Sequence, residues 1–146
     1  MALEATIGGE GVSLVVRVFG YERPALESGF DANWLRAEGE LTARGSFSGR
    51  LPLALLTMQL ESFRVSLADL TETLDGEAVL HDLEGQVGCT IRLTHGVGEF
   101  EGFLRENIGA ELRVAEMRID QSYVQAALRD FTALMREFPV KGDPSG

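Results

Sequence analysis

The chain has 146 residues, 45% of them hydrophobic and 25% charged, the length and balance of a globular domain large enough to fold without disulfide or metal staples. Twenty-three acids against thirteen bases give a net charge of −10. That field repels phosphate backbones and anionic lipid surfaces, which argues against nucleic-acid or membrane binding and favours a basic protein as partner, although acidity also serves solubility by itself.

The single cysteine, Cys89, permits no internal disulfide and suits a reducing compartment. The first residues, Met-Ala-Leu-Glu-Ala-Thr, lack the apolar core of a secretory signal, and the longest apolar run, 51–56, is too short to cross a bilayer. The cytoplasm is the expected location. No internal repeat, low-complexity block or linker is evident.

In chain order, 11–19 reads as a Val/Leu-rich strand and 20–32, with Pro24 and Gly29, as a loop. A second strand starts at Trp34, with Leu35, Ala37, Gly39 and Leu41 inward and Arg36, Glu38 and Glu40 outward. Arg44-Gly45 marks a hairpin turn into a third strand, 46–53. Thr57 is placed to cap a helix whose stripe is Leu60, Phe63, Leu67, Leu70 and Leu74, with Gly76 at its C-terminal end.

Strands resume at 77–82. Val87, Cys89, Ile91 and Leu93 alternate strictly with smaller or polar residues. Gly96-Val97-Gly98 turns the chain into a strand carrying Phe100, Gly102 and Leu104. In the next strand Leu112 and Val114 share one parity but Met117 and Ile119 the other, which predicts a bulge near 114–115. A last helix, opened by a capping box of Ser122 and Gln125, carries Val124, Ala127, Leu128, Phe131, Leu134, Met135 and Phe138 at helical spacing and stops at Pro139. The expected fold is α+β, an antiparallel β-sheet packed against a central helix and a C-terminal amphipathic helix. Residues 1–139 form one domain and 140–146 a disordered tail.

Chemistry-bearing residues are sparse. His81, Cys89 and His95 lack metal-ligand spacing; a core cysteine and two strand-end histidines account for them. Glu38 with Glu40, and Glu99 with Glu101, share strand faces at roughly 6.6 Å, but on surfaces expected to be solvated. The glycine-rich segments at 8–11 and 96–98 precede no helix, and no nucleophile elbow occurs. Catalytic residues, a metal site and a cofactor are therefore not expected, and the chain reads as a non-enzymatic binding protein.

One cluster stands out: Gly20-Tyr21-Glu22-Arg23-Pro24, then Asp31-Ala32-Asn33-Trp34-Leu35 with the only tryptophan. Asp31 and Asn33 suit a turn, and Trp34 either covers an edge of the core or meets a partner. With the Val/Leu-rich strand before it, the leucine-rich central helix and the terminal helix ending in Phe138-Pro139, this cluster resembles the WapI-type immunity proteins over 12–139. The resemblance implies a small cytoplasmic protein that binds and blocks a bacterial toxin, often a nuclease domain, and it carries over no catalytic residues. The alternative is an interaction module in another cytoplasmic assembly without a toxin. The residues expected to meet a basic partner are Glu22, Glu27, Asp31, Trp34, Glu38 and Glu40.

Overall fold

The computed structural model describes residues 2–145. Four strands, β1 (Leu3–Gly9), β2 (Val12–Tyr21), β3 (Trp34–Ala43) and β4 (Phe47–Leu56), lead into helix α1 (Thr57–Thr73). Four more, β5 (Gly76–His81), β6 (Val87–Thr94), β7 (Val97–Arg105) and β8 (Glu111–Asp120), lead into α2 (Gln121–Glu137). Each set is an antiparallel meander in chain order, so the α+β architecture with a central and a C-terminal helix stands, but the strands divide into two sheets. The division follows from α1: β4 runs straight into it, and β5 returns along the helix instead of pairing with β4.

The same plan thus occurs twice, four strands and a seventeen-residue helix. The fourth, seventh, eleventh and fourteenth residues of each helix are buried: Leu60, Phe63, Leu67 and Leu70 in α1, Val124, Ala127, Phe131 and Leu134 in α2. Glu4, Arg17 and Glu38 lie abreast on β1, β2 and β3, as Glu77, Arg92 and Glu99 do on β5, β6 and β7. The repeat escapes a reading of residues because the halves share burial positions and register more than side chains.

The helices exchange halves. α1 packs on β5 and α2 on β1, and they meet through the rings of Phe63 and Phe131, 5.1 Å apart and edge-on. Apolar faces of both sheets join them in one core. Gly39 sets the approach of the sheets, since a Cβ there would come 2.9 Å from Leu53 and 3.0 Å from Leu104. At ~1.5–3 kcal/mol per large side chain, the α2 stripe alone contributes several kcal/mol gross.

Alternation places Leu35, Ala37, Gly39 and Leu41, and likewise Val87, Cys89, Ile91 and Leu93, inward as predicted. The bulge in β8 falls one residue later than expected. Val114 faces Gly102 and Met117 faces Phe100, leaving Ala115 and Glu116 opposite Glu101, with Glu116 at φ 35°. Arg44 and Gly45, both at positive φ, make the predicted turn. β1 went unforeseen because only Ala5 and Ile7 are fully inward before two glycines.

Three caps differ from expectation. Thr57 lies inside α1, its hydroxyl spent on Asn33 Oδ1, while Gln59 Oε1 accepts the Leu56 N–H at 3.3 Å. Leu74, not a glycine, takes the left-handed position ending α1, at φ 61°, and Gly76 opens β5. Asp120 caps α2, accepting the Ser122 N–H at 2.8 Å; Ser122 is within the helix.

Candidate partner-binding surface

In the second sheet β6 and β7 are joined by His95 and Gly96 alone, both at positive φ, the shortest turn that suits a twisted hairpin. In the first sheet twelve residues, 22–33, span the same place. Hairpin closure does not require them. This loop exposes Leu26 and Phe30, at 39% and 45%, and Phe30 stands edge-on to Trp34 at 5.9 Å. Trp34 is half-buried and lies outside the core cluster. Glu22, Glu27 and Asp31 on the same loop are exposed, and Arg23, 3.7 Å from Asp31, is the loop's only cation. Aromatic anchors within a polar rim are the anatomy of a protein interface.

The loop is held from beneath. The Glu22 N–H donates to the Trp34 carbonyl at 2.9 Å. Asn33, fully buried, donates to the carbonyls of Gly29 and Lys141 at 3.0 and 3.1 Å and accepts from the Lys141 N–H at 2.8 Å and from Thr57 Oγ1. Both amide protons and both oxygen lone pairs are therefore used. Lys141 Nζ donates to the carbonyls of Leu26 and Pro24 at 2.8 and 3.3 Å and lies 3.8 Å from the Tyr21 ring centre. Residues 140–145, expected to be disordered on their polar composition, are thus laid along the loop; Gly146 lies outside the described residues.

Glu38 and Glu40 belong elsewhere. Arg17 Nη1 contacts Glu38 at 2.8 Å, Arg17 Nη2 contacts Glu4 at 2.7 Å and Glu40 at 3.3 Å, and Arg50 adds longer contacts to Glu38 and Glu40. The carboxylates, that of Glu38 first, raise the Arg17 pKa further above its ordinary value. The charge of Glu38 and Glu40 is answered within the sheet, so they leave the candidate surface. More generally, the eight strands hold nine acids against seven arginines, whereas turns, loops and helices hold fourteen acids against six bases. The excess negative charge lies largely off the sheets.

The histidine–cysteine trio does not converge. Cys89 faces the core opposite Leu80, whereas His81 is exposed, and His95 sits in the β6–β7 turn. Burial pushes the Cys89 thiol up to about 12, against a smaller opposing effect of a backbone hydrogen bond with Leu80. Among the described residues no group of three or more His, Cys, Asp or Glu is placed to hold a metal ion, and no helix is long and apolar enough to cross a membrane. In the sequence neither Leu26 nor Phe30 stands out, and the C-terminal segment reads as a disordered tail; two large apolar residues in a polar loop are the available signal.

Residues 5–139 match the Immunity protein WapI-like family. The chain belongs to this family. No curated protein and no solved structure matches it. The WapI-like match spans both four-strand halves and both helices, includes the whole of loop 22–33, and ends at Pro139, just before the segment that lies against that loop. An immunity family is generally non-catalytic and implies a protein partner.

Proposed function

We propose that this chain is a non-enzymatic, cytoplasmic protein that neutralises a basic, nuclease-type bacterial toxin by binding it. Family membership carries the class of function. The proposed contact is the face of loop 22–33, with Leu26, Phe30 and Trp34 as apolar anchors and Glu22, Glu27 and Asp31 as its acidic rim. Neutralisation then requires only coverage of the toxin's active site. Nuclease surfaces that meet phosphate are basic, so opposite fields speed the encounter, which must precede damage.

The test is stopped-flow association with a basic nuclease-type toxin domain, sought as the C-terminal domain of any large secreted protein encoded beside this chain, at several salt concentrations. The on-rate should fall steeply as salt rises while the off-rate changes little. Replacing Glu22, Glu27 and Asp31 by lysine should slow association by roughly tenfold or more, whereas Glu38→Gln and Glu40→Gln should leave it nearly unchanged. Failure to form a complex at micromolar concentrations rejects that toxin pairing and favours an interaction module without a toxin.

A further inference from the structure

Loop 22–33 is lightly tied within itself: besides the Glu22–Trp34 bond and a single 3-10 turn at Phe30–Asn33, the N–H groups of Leu26 and Ala32 donate to Arg23 and Gly29 at 3.2 and 3.3 Å, near the long end for amide bonds, and Asn33 Nδ2 donates to the Gly29 carbonyl at 3.0 Å. Ordering such a segment on binding would weaken and slow the association. What fixes it comes from the other end of the chain. The Tyr21 hydroxyl donates to the Pro139 carbonyl, Lys141 is spread over Asn33, Pro24, Leu26 and the Tyr21 ring, and the Gly29 N–H donates to the Asp143 carbonyl at 3.1 Å. Between them, Gly142 runs at φ 52°, so close to the loop that a Cβ would stand 2.6 Å from Ser28 Cβ and 3.1 Å from the Glu27 carbonyl oxygen. Only glycine fits there without strain.

We propose that residues 139–145 are a strap that holds loop 22–33 as a preformed docking face for a basic protein, with Lys141 as its positioning residue. The docking role rests on the function proposed above. The charge and apolar content of the loop choose the partner; the strap removes the cost of ordering the loop when that partner arrives. Lys141 suits this task because its three protons on a flexible stem serve two backbone carbonyls while the charge lies over an aromatic face.

Amide hydrogen exchange on the full chain tests the strap without any partner. Lys141→Ala removes the side-chain ties, and Gly142→Ala pushes the strap away sterically. In both variants the amides of Glu22, Gly29 and Ala32 should exchange roughly tenfold faster or more, the loss of one or two ordinary hydrogen bonds, while those of Cys89 and Ile91 in β6 stay protected. Unchanged loop exchange, or equal acceleration in β6, overturns the strap. Stopped-flow association with the toxin domain used to test the proposed function tests its role in docking: both variants should associate more slowly. Wild-type association despite a loosened loop overturns the preorganisation, whereas absence of any complex with wild type, alongside the expected exchange pattern, rejects the toxin pairing and not the strap.

Discussion

Asn33 and Lys141, 108 positions apart, exchange two hydrogen bonds, Asn33 Nδ2–H to the Lys141 carbonyl at 3.1 Å and Lys141 N–H to Asn33 Oδ1 at 2.8 Å. Together with Thr57 and Gly29 they join the start of β3, the start of α1, the loop and the chain end at one buried amide. Asn33→Ala should cost about 1–3 kcal/mol for each buried group left unpaired. Asn33→Asp, nearly the same shape, should also destabilise, since a carboxylate cannot donate to the carbonyls of Gly29 and Lys141. Urea midpoints decide: an Asp variant as stable as wild type would show that the donors matter little.

Trp34→Ala should separate stability from binding. The ring is half-buried against Phe30 and outside the core, so truncation should cost about 1–2 kcal/mol, below the ~3–5 kcal/mol of a fully buried large ring. Binding to the toxin domain should suffer more than the urea midpoint. The reverse order would return Trp34 to the core.

Alkaline stability should depend on Cys89. Its thiol ionises near 9.0 when unfolded and about 12 when folded. Between these values the unfolded chain has released a proton that the folded chain keeps, so stability is intact below pH ~9 and falls as pH rises through the interval, by about 1.4 kcal/mol per unit. A Cys89→Ala variant shares the other alkaline effects and lacks this one. Urea midpoints of both proteins at pH 8 and pH 10.5 should therefore converge at the higher pH; parallel loss would remove Cys89 as the cause.

Arg17→Gln should leave Glu4, Glu38 and Glu40 facing one another without their shared cation. The expected loss is ~1 kcal/mol, as suits a partly exposed network. Added salt should narrow the gap between variant and wild type. A gap that persists at high salt would assign the effect to packing of the arginine stem across the sheet.

The strict alternation of 87–93, the stripes of both helices, the turn at Arg44-Gly45 and the parity break in β8 were all legible in the sequence, because strand and helix periods, turn residues and parity act over a few neighbours. So was the acidic balance, which depends on composition alone. Which acids remain unanswered was decided by register: Glu38 and Glu40 read as a free acidic face until β2 lays Arg17 beside them, 21 and 23 positions away. Thr57 looks like a cap until Asn33 claims its hydroxyl, and 140–145 looks disordered until Asn33, Leu26 and Gly29 supply partners that local composition does not encode. The doubled plan is likewise visible only in space, since it is carried by burial positions and cross-strand register. Local periods determine what each segment becomes; the side chains that satisfy its charges and open hydrogen bonds are brought from far along the chain, and only the packed fold brings them.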